Sequence, residues 1–353
     1  MSIPLTMQAA ILVNQNEDLL LAEVNLPKKL DFGQVLVDVH YSGICGSQIG
    51  EIKGVKGEDK YLPHLLGHEG AGIVKSVGPN VTRFQEGDHV VMHWRPSSGI
   101  QANSPVYSMG NQSINAGSVT TFNEFSIVSE NRLTKIPDEY SLKSATLYGC
   151  AITTGFGVIE NNANLKFGQS IVVVGAGGVG LNIIQGASLR GANPIIAVDL
   201  FSNRLELSEA MGATDTVLSN GDKNWIELVA DILSGSKADI VVDNTGNPEI
   251  INACYELTKD SGKTILVGVP PQGKEATLYT LPLHFGKEIL GSHGGNGNPE
   301  IDIPRYMNLE SAGGFNPETL ITKTVDLVDI NFAIKDMING NLSGRCIINC
   351  KSK

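Results

Sequence analysis

The sequence predicts an α/β protein in which a parallel sheet covered by helices is flanked along the chain by β-rich segments. Its central part contains continuous apolar runs bounded by turn residues, at 171–175, 194–200, 239–246 and 263–269. Helical patterns lie between these runs, at 202–213 and 224–235. Fully apolar strands that alternate with helices are typical of a parallel sheet buried on both faces.

Residues 1–150 have a different pattern, which indicates short antiparallel strands. The candidate strands are separated by Gly, Pro and Asn and span 34–41, 71–77, 88–94 and 122–129. Several alternate apolar and polar residues, as half-buried antiparallel strands do. Residues 95–120, rich in Ser, Asn and Gly, are predicted to form a loop lobe. Beyond residue 296 the β-rich pattern returns, with a helix predicted at 330–341 and a strand at 345–350.

Length, charge and cysteine content limit the classes of protein to which the chain can belong. A chain of 353 residues suggests about two domains. The net charge of −11 argues against a nucleic-acid-binding protein. The N-terminus does not have the pattern of a signal peptide, and no stretch approaches the roughly 20 apolar residues of a membrane span. We therefore expect a cytoplasmic protein without nucleic-acid or membrane partners, whose five Cys are too few for a disulfide scaffold.

A glycine motif after the first apolar run predicts a dinucleotide site. Gly175, Gly177 and Gly180 form G-x-G-x-x-G around Gly178 and Val179, directly before a helical pattern. The glycines allow a tight turn, a close approach of the pyrophosphate and close packing of helix on strand. Asp199 follows Gly180 by 19 residues, at the end of the second apolar run. A carboxylate there binds a ribose 2′-hydroxyl and repels a 2′-phosphate, which favours NAD over NADP. The alternative is a glycine turn that binds no dinucleotide.

Three separated residues form a candidate metal site. Cys45, His68 and Cys150 supply the Cys/His/Cys set of a catalytic zinc, which leaves one coordination position for substrate or water. Spacings of 23 and 82 residues do not identify such a site, however. Each residue alone is better explained as a buried thiol or a structural histidine.

The motifs together resemble the zinc-dependent alcohol dehydrogenases of the medium-chain dehydrogenase/reductase superfamily. The segment GHEGAG at 67–72, followed by Gly78 and Val81, carries much of the resemblance. Cys45-Gly46-Ser47, Gly149-Cys150 and Thr154-Gly155, the glycine motif and Asp199 add to it, in the order and at the spacings of the family over nearly the whole chain.

This resemblance implies a fold and an assembly. It implies a GroES-like β-barrel catalytic domain formed by residues 1–152 and 295–353. Residues 153–294 are then an inserted Rossmann domain, a doubly wound parallel sheet that binds NAD. Relatives are dimers or tetramers, so a homodimer or homotetramer is expected.

The resemblance also implies roles for residues near the metal. Cys45, His68 and Cys150 correspond to the ligands of one catalytic zinc per chain. Glu69 corresponds to a carboxylate next to the zinc, sometimes a ligand itself. Ser47 corresponds to the hydroxyl that takes the substrate proton.

Further residues are implied to contact the cofactor. Arg204 matches a basic position beside the adenosine ribose, and Arg345 one that meets the pyrophosphate. Thr154 packs near the nicotinamide in relatives, and Val269 lies in a loop that offers backbone groups to the carboxamide. Thr245 is expected at the cofactor as well.

The sequence departs from the family pattern in three places. Residues 95–120, where many relatives hold a second, structural zinc with four Cys, contain no Cys, so no such site can form. Gln48 replaces an Asp that usually orients the zinc-binding His, and it lacks the charge that makes the ligand more basic. Gly50 replaces a His that often passes the proton onward. Candidates to replace that His are His40, His64 and His93, each of which is explained more simply as structural.

The resulting expectation is a zinc-dependent enzyme that transfers a hydride between an alcohol and NAD. The substrate is a secondary alcohol, a polyol or a sugar-derived alcohol, and Trp94 matches a position that lines the substrate pocket. Gln48, Glu51, Lys56 and His93 would suit a polyhydroxylated substrate. Two alternatives remain open at this point: a zinc-independent quinone or enone reductase of the same superfamily, and a non-catalytic NAD-binding protein.

Overall fold

The computed structural model describes residues 3–221 and 224–351. Within these residues the strands are β1 Thr6–Leu12, β2 Leu20–Asn25, β3 Gln34–Gly43, β4 His64–Leu65, β5 Glu69–Val77, β6 His89–His93, β7 Tyr107–Met109, β8 Gln112–Ile114, β9 Phe125–Ser129, β10 Leu133–Lys135, β11 Ile171–Val174, β12 Ile195–Asp199, β13 Asp215–Leu218, β14 Ala238–Asp243, β15 Thr258–Leu266, β16 Glu288–Gly291, β17 Ile321–Asp326 and β18 Arg345–Asn349. The α-helices are α1 Gly46–Ile52, α2 Leu142–Ala145, α3 Ala151–Gly157, α4 Gly178–Leu189, α5 Ser202–Ala210, α6 Asn224–Ile232, α7 Pro248–Leu257, α8 Pro299–Ser311 and α9 Ile330–Ile338.

The chain divides into two compact units. The first contains Met1–Cys150, Asn298–Asn341 and Arg345–Lys353, and the second contains Ala151–Gly297 and Leu342–Gly344. The first unit therefore takes residues from both ends of the chain, and the second is inserted between them.

The first unit is built from two sheets. One has the order β4-β1-β2-β7-β8, and the other has the order β10-β6-β5-β3-β18-β17, with β9 also paired to β3. The predicted strands at 34–41, 71–77 and 88–94 are confirmed as β3, β5 and β6. The core beneath the first sheet includes Met7, Ile11, Leu36, Tyr107 and Ile127.

The predicted alternation of buried and exposed residues is weak in the central strand β3. Alternation would expose every second residue, yet the first four residues of β3 are all buried. The strand β3 is central in its sheet, because β5, β9 and β18 pair with its edges. The pairing with β18, in which Ile347 lies opposite Gly43, brings the C-terminal segment into the same sheet as residues 34–43.

The lobe at 95–120 is not entirely loop, because β7 and β8 form a short hairpin there. The lobe is fastened by Glu130, whose side chain is 1% exposed. One carboxylate oxygen accepts the backbone N–H groups of Thr82 (3.0 Å) and Arg83 (3.1 Å), and the other accepts that of Ile100 (2.8 Å). Hydrogen bonds to a buried carboxylate thus hold a segment that contains no Cys.

The second unit contains the predicted parallel sheet. Its strand order is β13-β12-β11-β14-β15-β16, and every pair of neighbours is parallel. The strands β11 and β12 are buried along their whole length, as their continuous apolar sequences predicted. The predicted helices at 202–213 and 224–235 are confirmed as α5 and α6, each slightly shorter. Among the described residues, no helix combines the length and the apolar character that crossing a membrane requires.

Candidate active site

The three candidate metal ligands come together in the first unit. Cys45 directly precedes α1, His68 lies between β4 and β5, and Cys150 ends a 3-10 turn just before α3. The Sγ atoms of the two Cys and a ring nitrogen of His68 lie within 4.8 Å of one another. Both thiols are buried and His68 is half-buried. Residues 23 and 82 positions apart thus form one compact cluster.

The electrostatics of the cluster favour a thiolate. The Cys150 thiol donates a hydrogen bond to Cys45, and together with the Arg345 and His68 charges this holds the pKa of Cys45 well below its usual value, although burial opposes the shift. The pKa of Cys150 is raised, because its neighbour is the Cys45 sulfur and because it is buried. A metal cation would remove this competition by stabilising both thiolates at once.

The donor set fits zinc. Two sulfurs and one imidazole nitrogen are the ligands that catalytic zinc sites use, with one position left open. The Nε2 atom of His68 is buried and has no hydrogen-bond partner among the described residues. Such an atom costs free energy unless something binds it, and a metal ion at the cluster would do so.

Gln48 contacts the second ring nitrogen of His68, Nδ1. It lies on α1 with 1% of its surface exposed. Its Oε1 atom accepts the backbone N–H of Cys45 at 2.9 Å, and its Nε2 atom lies 2.5 Å from Nδ1 of His68. One side chain therefore connects two of the candidate ligands.

Glu69 and Arg345 form a buried ion pair next to the cluster. Their side chains are 0% and 2% exposed, and Arg345 Nη2 lies 3.3 Å from Glu69 Oε2. Arg345 also donates to the carbonyl of Ile44 at 2.9 Å. The acidic partner raises the pKa of Arg345 against the effect of burial. Glu69 does not belong to the group of ligand atoms described above, so its direct ligation of zinc stays a prediction, as does the contact of Arg345 with the pyrophosphate.

A cavity of about 700 Å³ opens beside His68 within the first unit. Trp94 lies in its wall and meets the His68 ring edge-on, with the ring centroids 6.4 Å apart. Several polar side chains line it: Gln48, Glu51, Asp59, His64, Asn115 and Arg132. Ser47 is exposed in the first turn of α1, two residues after Cys45.

The histidines that could replace the missing relay residue have different surroundings. His64 lines the cavity, and its two ring nitrogens face acceptors, Asp59 Oδ2 at 2.8 Å and the carbonyl of Leu65 at 2.9 Å. His93 is buried away from the cavity lining, between the carbonyl of Arg95 and the hydroxyl of Thr134, and burial lowers its pKa to about 4. His93 therefore has the structural role that was the simpler interpretation.

Sequence reasoning did not single out Asp59, Asn115 or Arg132. Asp59 and Asn115 lie outside the strands and helices named above, and Arg132 ends a 3-10 turn at Glu130–Arg132. None of them belongs to a motif, and only the folding of the chain around one cavity brings them together. The clue that the sequence did offer was limited to polar residues close to Cys45 and Trp94.

The dinucleotide motif has the expected geometry in the second unit. Gly175 follows β11 with φ +97°, a conformation that favours glycine. A Cβ atom at Gly180 would lie 2.0 Å from the carbonyl oxygen of Gly175, so the close packing of α4 on the turn requires glycine there. Gly177 precedes α4, and Gly178 and Val179 form its first turn, which supplies N–H groups for a pyrophosphate.

Asp199 lies at the end of β12, next to the glycine turn. Its two oxygens accept the backbone N–H groups of Ala176 (2.7 Å) and Phe201 (3.0 Å). Arg204 lies 3.7 Å from this carboxylate and stacks on the ring of Phe201. The acidic and basic residues predicted for the adenosine ribose are thus neighbours.

The other predicted cofactor residues are placed as follows. Thr154 is buried in α3, and Val269 is 56% exposed after β15. The Thr245 hydroxyl donates to Asp243 at 2.6 Å, just after β14. Their contacts with NAD stay predictions.

Comparisons with known proteins agree with this fold and site. The chain matches the family model for the alcohol dehydrogenase GroES-like domain over residues 31–138 and the model for zinc-binding dehydrogenases over residues 178–310. It is 30% identical to an alcohol dehydrogenase class-3 of Cereibacter sphaeroides, covering 97% of this chain and 99% of the relative. It is 29% identical to an S-(hydroxymethyl)glutathione dehydrogenase of Paracoccus denitrificans, with the same coverage. Among solved structures, benzyl alcohol dehydrogenase of Acinetobacter calcoaceticus has a TM-score of 0.87 at 28% identity, covering 98% of this chain and 99% of that one.

Fold and ligand set therefore define a metal-binding dehydrogenase with a dinucleotide domain inserted into a β-rich catalytic domain. More specifically, the chain belongs to the zinc-dependent alcohol dehydrogenase family of the medium-chain dehydrogenase/reductase superfamily. It is an oxidoreductase that uses catalytic zinc and NAD to interconvert an alcohol and its carbonyl compound. The alternatives of a zinc-independent reductase and a non-catalytic NAD-binding protein are not supported.

Proposed function

We propose that the substrate is a polar alcohol with further hydroxyl groups, a polyol or a sugar-derived alcohol, which is oxidised to the ketone or aldehyde with NAD⁺. The observation that carries this proposal is the set of polar side chains that lie among apolar residues such as Val106 and Val119 in the wall of the cavity beside His68. A site built to hydrogen-bond hydroxyl groups strongly rejects substrates that lack them, because its own polar groups would stay unpaired.

The wall offers both charge and preorganised hydrogen-bonding groups. Asp59 is fixed by His64 and by the backbone N–H of Tyr61 at 2.8 Å, and these contacts lower its pKa although burial opposes the shift. Asn115 donates to the carbonyl of Tyr61 at 2.8 Å. The Glu51 carboxylate makes no hydrogen bond or ion pair with the described residues, so it is available to a substrate hydroxyl.

The chain's own residues would act as follows. Cys45, His68 and Cys150 hold the zinc, and Glu69 with Arg345 maintains a buried ion pair beside it. When bound, zinc polarises the substrate oxygen and NAD⁺ accepts the hydride. Ser47 takes the proton of the alcohol. Its exposed position on α1 supports onward transfer to solvent without a further histidine.

His64 is unsuited to be the final proton acceptor. Both of its ring nitrogens are already engaged, one by Asp59 Oδ2 and the other by the carbonyl of Leu65, so neither is available to a proton from another group. We therefore assign to His64 the task of positioning Asp59 in the cavity wall.

The experiment is a substrate screen with NAD⁺ over polyols, sugars, aminocyclitols, simple secondary alcohols, benzyl alcohol and S-(hydroxymethyl)glutathione. We expect the highest kcat/KM for a polyhydroxylated compound. Asn115→Leu should then reduce kcat/KM for that compound by up to about tenfold, since a hydrogen bond contributes roughly 0.5–1.5 kcal/mol net, with little effect on 2-propanol. A preference for benzyl alcohol or 2-propanol over every polyol would contradict the proposal.

We further propose that the chain forms a homodimer, or a tetramer of such dimers, and is cytoplasmic. The strand β16 lies at an edge of its sheet, and the preceding segment exposes Tyr279 (71%), Leu281 (49%) and Phe285 (74%). An open strand edge beside apolar side chains favours pairing with a second copy. Light scattering should show at least a dimer, and Phe285→Asp should dissociate it. A wild-type monomer at micromolar concentration would refute this assembly.

A further inference from the structure

Arg132 lines the cavity beside His68, and no carboxylate among the described residues pairs with it. Its side chain is half-buried, and its hydrogen bonds go to uncharged acceptors. Nη1 donates to the carbonyl of Trp94, and Nη2 donates to Oε1 of Gln101 at 3.1 Å. Burial lowers the pKa of Arg132. A charge that is partly removed from water without a counter-charge raises the free energy of the folded protein.

Other arginines of the chain differ from Arg132 in this respect. Four of them form ion pairs with a carboxylate: Arg83 with Glu300, Arg204 with Asp199, Arg305 with Asp302, and Arg345 with Glu69. The two acceptors of Arg132 do not account for its charge, because an uncharged donor would satisfy a carbonyl or amide oxygen as well. The positive charge of Arg132 is therefore available to a ligand in the cavity.

The guanidinium of Arg132 also retains unused hydrogen-bond donors. A guanidinium carries five N–H groups, and this one donates a single bond from each Nη atom to the protein. Its Nε atom is buried and has no partner within residues 3–221 and 224–351. One N–H group on each Nη atom is thus left for a ligand. Donors on neighbouring guanidinium nitrogens fit the oxygens of a carboxylate or a phosphate group.

Asp59 in the same cavity wall belongs to a separate hydrogen-bonded group. Its Oδ1 atom accepts the backbone N–H of Tyr61 at 2.8 Å, and its Oδ2 atom lies 2.8 Å from Nε2 of His64. The pKa of Asp59 responds to burial, which raises it, and to Tyr61 and His64, which lower it, whereas that of Arg132 responds to burial. Asp59 therefore does not neutralise the charge of Arg132, and the cavity presents hydroxyl-binding groups and a cation separately.

We propose that Arg132 is a specificity-determining residue that binds an anionic group of the substrate. The alcohol oxidised in this cavity then carries a phosphate or a carboxylate in addition to its hydroxyl groups, an inference that rests on the polyol function proposed above. A volume of about 700 Å³ accommodates a substrate that reaches both groups of residues. Arg132 is bound to the backbone of Trp94, whose ring meets that of His68, so the anionic group is held close to the candidate zinc ligands. The hydride still passes to NAD⁺, and the anionic group takes no part in the redox step.

The test compares neutral and anionic forms of one polyol in the full-length, zinc-loaded enzyme with NAD⁺. Sorbitol is the neutral substrate, and sorbitol 6-phosphate and gluconate are the anionic ones, so the pair of anions separates phosphate from carboxylate recognition. We expect kcat/KM for at least one anion to exceed that for sorbitol by at least about tenfold, since a hydrogen bond to a charged group provides about 10- to 100-fold. Equal or higher values for sorbitol would overturn the proposal, as would a preference for the cationic analogue glucamine.

Variants of Arg132 test whether this residue causes the preference. Arg132→Met should lower the ratio of kcat/KM for the preferred anion to that for sorbitol by about 10- to 100-fold. Arg132→Lys should restore part of the ratio, because it keeps the charge without the planar donors. A purely structural role would affect both substrates equally, so an unchanged ratio in Arg132→Met would overturn the proposal. If this variant does not fold, the comparison of substrates in the wild type still decides.

The matched control is Arg83→Met. Arg83 also donates to a backbone carbonyl, that of Ser98, but it lies outside the cavity lining and pairs with Glu300. Its replacement should leave the ratio of anionic to neutral substrate unchanged, whatever it does to stability. An equal fall of the ratio in Arg83→Met and Arg132→Met would show that the effect does not come from the cavity, and would overturn the proposal.

A further pair of substrates separates this inference from the polyol proposal. Both 3-hydroxybutyrate and 2-pentanol have one hydroxyl group, and only the first carries a carboxylate. A preference for 3-hydroxybutyrate over 2-pentanol, without activity on any polyol, would contradict the polyol function and support the role of Arg132. Activity on sorbitol that exceeds activity on its phosphate and on gluconate would support the polyol function and overturn the role of Arg132.

Discussion

Replacing Glu130 by Gln should destabilise the 95–120 lobe without removing zinc. The Glu130 carboxylate is 1% exposed and accepts three backbone N–H groups, those of Thr82, Arg83 and Ile100. An amide of the same shape has one oxygen. If that oxygen still accepts the N–H groups of Thr82 and Arg83, the new NH₂ group faces the N–H group of Ile100. Two donors then lie opposite each other and no hydrogen bond forms.

The magnitude follows from this geometry. Losing one hydrogen bond to a buried charged group costs about 1.5–3 kcal/mol, and the two remaining bonds lose the strengthening that the charge gives them. We therefore expect a loss of about 3 kcal/mol in the free energy of unfolding of the first unit. Zinc content should stay unchanged, because Glu130 contacts none of the three ligands.

The assay is urea unfolding followed by the fluorescence of Trp94, in a Trp225→Phe background that removes the other tryptophan. The control is Glu124→Gln, since the Glu124 carboxylate accepts a single N–H, that of Gln8 at 2.8 Å, in an exposed position. Its effect should be below about 1 kcal/mol. A Glu130→Gln protein within about 0.5 kcal/mol of its parent would refute the idea that this carboxylate fastens the lobe.

Three further outcomes are expected. Cys45→Ala should reduce zinc, measured by atomic emission, from about one per chain to almost none and abolish NAD-dependent activity; two zincs in the wild type would contradict the interpretation of the Cys-free lobe. Asp199→Ser should lower the ratio of kcat/KM for NAD⁺ to that for NADP⁺, because the carboxylate no longer repels the 2′-phosphate; a wild type that prefers NADP⁺ would contradict the role of Asp199. Burial lowers the pKa of His93 to about 4. As the pH falls, the His93 imidazole therefore takes up its proton in the unfolded chain before it does so in the folded one. The free energy of unfolding then decreases between about pH 6.5 and about pH 4, by up to roughly 3 kcal/mol. His93→Gln should lose that part of the pH dependence of unfolding, and identical profiles for variant and wild type would show that His93 does not cause it.

Local patterns were sufficient for the second unit. The apolar runs at 171–175 and 194–200 became β11 and β12, and the glycine motif lies at the turn into α4 as predicted. Such features depend on neighbours in sequence: the burial of both faces of a parallel strand, and a turn with positive φ at Gly175. The apolar and polar pattern predicted β3 as a strand but not the burial of its first four residues, because that burial depends on packing over the whole unit.

The sequence by itself determined the family, the Cys/His/Cys donor set, the dinucleotide motif and the absence of Cys from the 95–120 lobe. Its residue types alone limit what chemistry is possible, wherever they lie in space. Only the tertiary structure decided that Cys45, His68 and Cys150 converge, that Arg345 pairs with Glu69, and that Asp59 and Asn115 line the cavity beside His68. These contacts join residues far apart in the chain, and the free energy that selects them comes from burial and strand pairing over the whole unit, which no local pattern records.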